Sequence, residues 1–436
     1  MHGSNKRKVF DSGSSVFLSF LSKLKIVLLV LIVFRVGVFV PIPGAIASGL
    51  SSFDGVIFSF MNTFSGGALQ RMSVFALGIM PYISASIILQ LLSFSVPYFE
   101  SLKKDGDFGR RLLMKHLRFL TLLLSLLQAF AMSLSFIGQS EVIDTAEYLL
   151  MFSSVVSLVA GAFFLLWLGE KITEYAFGNG VSLIIFFGIV SSFPQVLSGI
   201  FDSVNKGSLS AVSFLLIIFL SAGMVFSVVF VEKAIRKIQV MYARSKSNQS
   251  SLGRESPTYL PLKVNMAGVI PPIFATSMLM FPSAFVGWLV AGTPHPFFIN
   301  LAHLLEPGQP LYFMLFSALV LFFCFFYAAI IVNPDELADT LKRVGAVVPG
   351  VRPGASTSAF IDSIHSRLAL IGSFYMICVC LLPQVAQVFL SFPLHLGGTS
   401  LLIVVAVVMD FISQAQNFVM SGRYPGLVRK AKITSS

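Results

Sequence analysis

Charged side chains are scarce in this chain. Of its 436 residues, 11% are Asp, Glu, Lys or Arg and 56% are hydrophobic, and the mean hydropathy is +0.87. A water-soluble domain could not bury so much apolar surface, so lipid is the expected solvent for most of the chain. The composition therefore predicts a polytopic membrane protein.

Cysteine is also sparse. Cys324, Cys378 and Cys380 all lie in apolar segments, where cysteine is typically a small packing residue. The sequence has no disulfide framework, no metal-ligand spacing, no HExxH pair and no phosphate-binding glycine loop. We therefore expect no enzyme activity, no catalytic residue, no metal and no cofactor.

Apolar runs long enough to cross a bilayer occur ten times, since a spanning helix needs about 20 residues. The predicted spans are 24–40, 73–94, 119–138, 149–169, 181–199, 211–231, 267–290, 311–332, 368–390 and 399–419. The first run resembles a signal peptide, but it is as long as a span and Arg35 interrupts it. We expect it to stay in the protein as a span.

Basic residues fall almost entirely on one side of these spans. All but three of the 30 Lys and Arg residues lie at the termini or in alternate connections, the exceptions being Arg35, Arg71 and Lys206. By the positive-inside rule this side is the cytoplasm. The cytoplasmic parts would then include an N-terminal segment 1–23, two large loops 233–266 and 333–367, and a tail 421–436.

Residues 53–67 are apolar but too short to cross a membrane, and they end in the helix-stop sequence Ser65-Gly66-Gly67. Both ends lie on the external side of the predicted topology. We expect a short re-entrant helix sheltered by protein. An interfacial helix lying on the membrane surface is the alternative.

Two patterns recur along the chain. G-x-x-P-x-I-x-A occurs at 78–85 and 268–275, and G-x-S-L-x-I at 180–185 and 398–403. Each pair is five spans apart and runs in opposite directions, which predicts an inverted repeat of two five-helix halves, 24–205 and 206–420. The matched isoleucines, Ile83 with Ile273 and Ile185 with Ile403, would be equivalent about the pseudo-two-fold axis.

Few ionisable groups interrupt the spans, and Arg35 and Asp410 are the clearest. An intramembrane charge is a functional hypothesis by default, although Arg35 also fits a snorkelling residue and Asp410 a structural partner of an unnamed group. Pro81, Pro271 and Pro272 indicate either simple kinks or a moving element. The repeated central positions are aliphatic, as in a constriction that gates by dewetting.

Long motifs in the sequence resemble the bacterial SecY family, the main subunits of the protein-conducting channel. The resemblance covers nearly the whole chain. The motifs are Phe34–Gly37, Pro41–Gly44, Phe64–Leu69, Phe75–Leu92, Trp167–Glu170, Gly178–Gly180, Leu260–Pro271, Asn333-Pro334, Pro349–Gly354 and Gly397–Ile403.

The resemblance implies an all-α membrane protein with ten spans in two inverted halves around an hourglass pore. Such a channel moves unfolded secretory polypeptides across the membrane and releases transmembrane segments sideways into lipid, driven by SecA or the ribosome. It also implies a complex with SecE and SecG, contacts with signal sequences, nascent polypeptides and membrane lipids, and a place in the bacterial inner membrane.

The resemblance further assigns residues to four sites. The positions matching the pore ring are Ile79, Ile83, Val181, Ile185, Ile273 and Ile403, four of which are the isoleucines of the repeat. The segment 53–67 would be the plug, with Phe53, Asp54, Ile57, Phe60, Met61, Asn62 and Phe64. Spans two, three, seven and eight would form a lateral gate, with Ser84, Ile87, Gln90, Gln128, Asn265 and Thr276. The two large loops would dock partners through Arg236, Lys237, Arg244, Lys246, Arg254, Lys342, Arg343 and Arg352.

One loop departs from the family pattern. The tip Ser245–Ser251 carries a single cation, Lys246, so contact with ribosomal RNA from that loop is expected to be weaker. A secondary transporter with inverted repeats is the main competing interpretation, and it would need a polar site at the midplane. A membrane enzyme would need paired catalytic side chains within the spans.

Overall fold

The computed structural model describes residues 4–43, 62–137, 144–176, 178–207, 211–242, 258–292, 296–305, 308–390 and 397–434. Most of these residues are helical. The helices are α1 Ser4–Val38, α2 Met80–Ser95, α3 Pro97–Lys104, α4 Gly106–Ile137, α5 Asp144–Tyr175, α6 Gly180–Asn205, α7 Ala211–Glu232, α8 Ile270–Gly292, α9 Pro296–Leu304, α10 Pro310–Ile331, α11 Pro334–Val344, α12 Ala355–Leu390 and α13 Gly398–Thr434. The strands are β1 Ile235–Tyr242, β2 Thr258–Lys263 and β3 Ala346–Val347.

Each predicted span overlaps a different helix of this set. Among the described residues, seven helices are long and apolar enough to cross a membrane, or eight if α2 and α3 form one span broken by a bend of 96°. The mostly helical, multi-span fold is therefore confirmed, and the strands of unit 2 are an addition that the sequence did not predict.

The start of the second spanning helix differs from the prediction. Residues 73–79 form successive turns, and α2 begins at Met80 instead of 73. Two residues explain why the helix starts later in the chain. Gly78 has a φ of +56°, which is outside the helical region. Pro81 lies in the first turn of α2, where the N–H that proline lacks would have no partner within the helix. Hydropathy marked the apolar stretch correctly but could not mark where the helical backbone begins.

The chain folds into two compact units. Unit 1 contains Met1–Asp202 and Val407–Ser436, and unit 2 contains Ser203–Ala406. The second part of α13 belongs to unit 1, where Gln414 accepts a hydrogen bond from the Gly178 N–H at 2.7 Å and the Lys23 ammonium lies 4.6 Å from the centre of the Phe418 ring.

The segment 62–79, which is helical only at residues 62–64, is packed into unit 1. Its backbone pairs with the end of α1: the Ile42 N–H donates to the Met72 carbonyl at 2.8 Å, and the Val74 N–H donates to the Val40 carbonyl at 3.0 Å. The buried cluster that holds the segment contains Ile42, Leu69, Ala76, Leu77, Ala129, Leu158 and Ala162. The irregular backbone is thus covered by protein and hydrogen-bonded, as a membrane environment requires.

Unit 2 carries a three-stranded sheet with the order β2-β1-β3. The β1–β2 hairpin is antiparallel, with Ile238 opposite Leu260, and β3 pairs with the end of β1 through Met241 opposite Val347. Beneath the sheet, a small core of Ile238, Leu262, Val348 and Leu368 joins the two predicted cytoplasmic loops to α12.

The repeat predicted from the sequence is visible in local geometry within each unit. Gly78 and Gly268 both have a positive φ, +56° and +62°, and in each case a helix with an early proline begins two residues later. Likewise, Gly180 and Gly398 each begin a helix and press against a carbonyl of the preceding helix, where an added Cβ would lie 1.9 Å from the Gly169 oxygen and 2.2 Å from the Val379 oxygen. The matched motifs therefore fold in matched ways.

The packing of segment 62–79 can be tested at Gly161 in α5. An added Cβ there would lie 2.0 Å from the Val74 carbonyl oxygen, so Gly161→Ala should destabilise the protein by about 1–3 kcal/mol through overpacking. Gly223→Ala in α7 is the matched control, because nothing lies within 4 Å of its new Cβ. The measurement is the melting temperature of the detergent-purified protein by size-exclusion chromatography. Equal melting temperatures for both variants would contradict the packing.

Candidate functional site

Three predicted pore-ring residues meet in unit 1. Ile79, Ile83 and Ile185 are buried and line one cavity of about 20 Å³. The cavity is apolar apart from backbone atoms and one serine, and its other lining residues are Phe34, Phe64, Ser65, Ala76, Leu77, Gly78, Met80, Leu165 and Ile184. A cavity of this size can hold about one water molecule, but its lining offers that water few hydrogen-bond partners.

The remaining ring positions lie near the starts of helices. Val181 is half-buried in the first turn of α6, and in unit 2 Ile273 is half-buried in the first turn of α8 while Ile403 is buried near the start of α13. Since each unit is described by itself, the closed ring of six residues stays a prediction. What the structure adds is that the three unit 1 isoleucines already share one apolar cavity.

The end of the predicted plug lies beside these isoleucines. Residues 62–64 form a helical turn that ends in two glycines with positive φ, Gly66 at +70° and Gly67 at +83°. The Gly67 N–H donates to the Asn62 carbonyl at 2.8 Å and the Gly66 N–H to the Thr63 carbonyl at 3.3 Å, which is the Schellman pattern of a helix end. Five other predicted plug residues lie outside the described residues: Phe53, Asp54, Ile57, Phe60 and Met61.

Amide side chains fasten this helix end to α6. The Asn62 side-chain oxygen accepts from the Gln70 N–H at 2.9 Å, and the Gln195 side chain donates to the Gln70 side-chain oxygen at 3.0 Å. The Ser191 hydroxyl donates to the Gly66 carbonyl at 3.4 Å. The roles of Gln70 and Gln195 were not predicted from the sequence, because nothing in their spacing shows that they meet.

The predicted lateral-gate residues of unit 1 lie on two helices that pack together, α2 and α4. Ile87 is buried, whereas Ser84, Gln90 and Gln128 are half-buried. On α2 these positions are three residues apart, so they follow one face of the helix. The Gln90 amide donates to the Ser86 hydroxyl at 3.0 Å.

Asn265, the predicted gate residue in unit 2, is engaged in hydrogen bonds. Its side-chain nitrogen donates to the Glu232 carboxylate at 2.9 Å and to the Gly268 carbonyl at 3.3 Å, and the residue is buried. Thr276 is also buried, with its hydroxyl on the Ile273 carbonyl at 2.8 Å. Asn265 therefore joins the end of α7 to the glycine that precedes α8.

Asp410 has a partner that the sequence did not identify. Its carboxylate accepts from the Gln414 side chain at 2.9 Å, and Gln414 in turn accepts from the Gly178 N–H at 2.7 Å. Gly178 lies in the turn before α6, where the Gly180 N–H also donates to the Thr173 hydroxyl at 2.8 Å. The charge on α13 thus orients an amide that fixes the approach to Val181 and Ile185.

The predicted docking cations gather around the sheet of unit 2. Arg236 and Lys237 are exposed on β1, Lys342 and Arg343 are exposed in the last turn of α11, and Arg352 is exposed beyond β3. Because β3 pairs with β1, these five residues belong to one sheet-centred surface, which we call the docking surface. The other predicted members, Arg244, Lys246 and Arg254, lie outside the described residues.

The bond between Gln414 and Gly178 can be tested by hydrogen–deuterium exchange. Gln414→Leu removes the acceptor of the Gly178 N–H, a bond worth about 1 kcal/mol, so exchange of the peptide covering 178–183 should speed up about fivefold. Ser413→Leu alters the exposed neighbouring position on the same helix and should leave exchange unchanged. Equal exchange in the wild type and Gln414→Leu would show that the bond does not hold this turn.

Comparisons with known proteins agree with the geometry. The SecY family model matches residues 73–412. The protein translocase subunit SecY of Escherichia coli (strain K12) is 44% identical over 410 residues, which cover 92% of each chain. The corresponding subunit of Pseudomonas aeruginosa is 43% identical over 416 residues, 94% of each chain.

Solved channel structures share the fold at lower identity. A structure described as a protein conducting channel superposes with a TM-score of 0.68 at 19% identity, covering 93% of this chain and 94% of the other. Sec61 in the canine ribosome–channel complex from the endoplasmic reticulum gives a TM-score of 0.66 at 19% identity with the same coverage. The family model, the full-length relatives and the shared fold together show that the chain belongs to the SecY family.

Proposed function

We propose that this chain is the channel-forming subunit of a protein translocase, which moves unfolded polypeptides across a membrane and releases transmembrane segments sideways into lipid. The observation that carries the proposal is the cavity shared by Ile79, Ile83 and Ile185 next to Phe64. Its lining is aliphatic, whereas a transporter would need a polar site at the position that we propose for the pore ring.

An aliphatic constriction suits a substrate of variable sequence. Branched side chains with several rotamers can close around any residue of an extended chain without binding it tightly, and without a chain they exclude water and ions by dewetting. The three isoleucines of unit 1 would supply part of this ring, and Val181, Ile273 and Ile403 the rest. The plug, residues 53–67, would cover the ring on its external side when no polypeptide is present.

Release of a transmembrane segment sideways into lipid requires two neighbouring helices that can separate and open the channel to the bilayer. The half-buried polar residues on α2 and α4, with Thr276 on α8, would line that opening. Asn265, already bonded to Glu232, would act there by holding the start of α8 and not by touching the substrate.

Energy for transport would come from a partner, because the sequence contains no phosphate-binding glycine loop. The docking surface carries five exposed cations on one folded body, which suits an acidic or phosphate-rich partner. We assign it to SecA and the ribosome, and we expect SecE and SecG to complete the complex. The positive-inside rule places this surface and both termini in the cytoplasm of a bacterial inner membrane.

The proposed pore ring can be tested by measuring the ion conductance of the channel. Replacing Ile83 and Ile273 with Ser should raise the ion leak of purified channels in planar bilayers, because hydroxyl groups stabilise water in the constriction. Ile88→Ser with Met278→Ser is the control, since those residues are exposed on the same two helices. Wild-type conductance in the Ile83/Ile273 variant would contradict the assigned ring.

Crosslinking of a stalled secretory chain tests the function itself. A photo-reactive amino acid at Ile83 should form adducts with the stalled polypeptide, whereas one at Leu123, which is exposed on α4, should react with lipid. A transporter or a membrane enzyme would give no polypeptide adduct at either position. Adducts at Leu123 alone would place the polypeptide outside the proposed channel.

A further inference from the structure

Two arginines lie against one phenylalanine at the end of α1. The guanidinium carbon of Arg35 is 5.0 Å from the centre of the Phe39 ring, and that of Arg71 is 4.3 Å from the same centre. Cation–π contacts of this kind are weakly favourable, but they leave the charges in place. We call Arg35, Phe39 and Arg71 the arginine pair site.

The protein supplies no anion to this pair among its described residues. The salt bridges found there involve other residues, and the Nη1 of Arg35 is buried without a hydrogen-bond partner. Burial, and then the neighbouring charge of Arg35, lower the pKa of Arg71. Two like charges held next to each other, one of them with a buried nitrogen that has no hydrogen-bond partner, raise the free energy of the protein unless an anion joins them.

The surface that leads to the arginine pair site is apolar and exposed. On α1 it follows one side of the helix, because Leu29, Ile32 and Val36 recur at intervals of three and four residues. Leu28 is exposed next to Leu29, and Val40 is exposed two residues after the helix ends at Val38. An apolar stripe that ends at two cations matches the shape of an amphiphile with an anionic head.

We propose that the arginine pair site binds an anionic phospholipid, with the headgroup phosphate on Arg35 and Arg71 and an acyl chain along the α1 stripe. Guanidinium groups bind phosphate oxygens in a bidentate manner, and the net negative charge of the headgroup offsets both cations. A zwitterionic lipid would bring a positive group toward a site that is already doubly positive. The predicted topology places this lipid in the external leaflet.

A transmembrane helix of a partner subunit is the competing occupant of this surface. Such a helix would bury the α1 stripe and would need a carboxylate near the arginines. The lipid is favoured because the exposed stripe ends at a cluster of positive charge, which suits a single amphiphile. A crosslinker placed on the stripe would capture a lipid in the first case and a partner subunit in the second.

Native mass spectrometry of the purified complex can test the site by titration with phosphatidylglycerol or phosphatidylcholine. The wild type should bind phosphatidylglycerol preferentially, and Arg71→Gln should weaken that binding about fivefold, as expected for the loss of one cation at a membrane surface. Lys206→Gln removes an exposed cation that belongs to unit 2 and should change nothing. If both substitutions weakened phosphatidylglycerol binding equally, the binding would reflect the overall charge of the protein and not a specific site, and the proposal would be overturned.

A second pair of variants keeps both arginines. Phe39→Glu places a carboxylate between the two arginines and should abolish the preference for phosphatidylglycerol. Phe39→Gln introduces a side chain of the same size as glutamate but without its charge, and this variant should retain most of the preference. Retained preference in Phe39→Glu would contradict the proposal. A photo-reactive residue at Val36 should capture lipid in the wild type, and capture of a partner subunit in its place would identify the competing occupant.

Discussion

The need to satisfy backbone polar groups away from water governs the whole of unit 1. A chain in a membrane can leave the helical conformation only where protein covers it and supplies hydrogen bonds. The segment 62–79 meets this condition through its pairing with the end of α1, the amides of Asn62, Gln70 and Gln195, and a buried apolar cluster. Because this segment is fixed, Phe64 and Ile79 can face one cavity.

Hydropathy predicted the helices, and the two repeated motifs singled out two of the cavity isoleucines, Ile83 and Ile185, whereas Ile79 came only from the family resemblance. Burial in lipid and close glycine contacts leave direct traces in sequence. Polar contacts between distant segments leave no such trace. Asp410 was visible as a charge within a span, but its link through Gln414 to Gly178 needed the structure. The same holds for Arg35, which meets Arg71 at the Phe39 ring although nothing in the sequence connected the two arginines.

Positive charge occurs in three separate settings in this molecule. Loop cations would orient the spans during insertion by the positive-inside rule, and five of them are exposed on the proposed docking surface of unit 2. Arg118 in α4 instead binds Glu170 of α5 through contacts of 2.9 to 3.2 Å, which ties two neighbouring helices together. The arginine pair near Phe39 belongs to none of these groups, since among the described residues it has no carboxylate partner, and Arg35 and Arg71 are two of the three exceptions to the one-sided distribution of charge.

The strand β3 is only two residues long, yet it links the two large loops of unit 2. The hydrogen bonds of a two-residue strand pairing would break easily under a force applied along the hairpin. The apolar core of Ile238, Leu262, Val348 and Leu368 lies under the same joint, and it resists shear because separating it would expose apolar surface to water. If a partner pushes on the hairpin, as proposed for the docking surface, the force would pass through this core to α12, one of the helices long enough to cross a membrane.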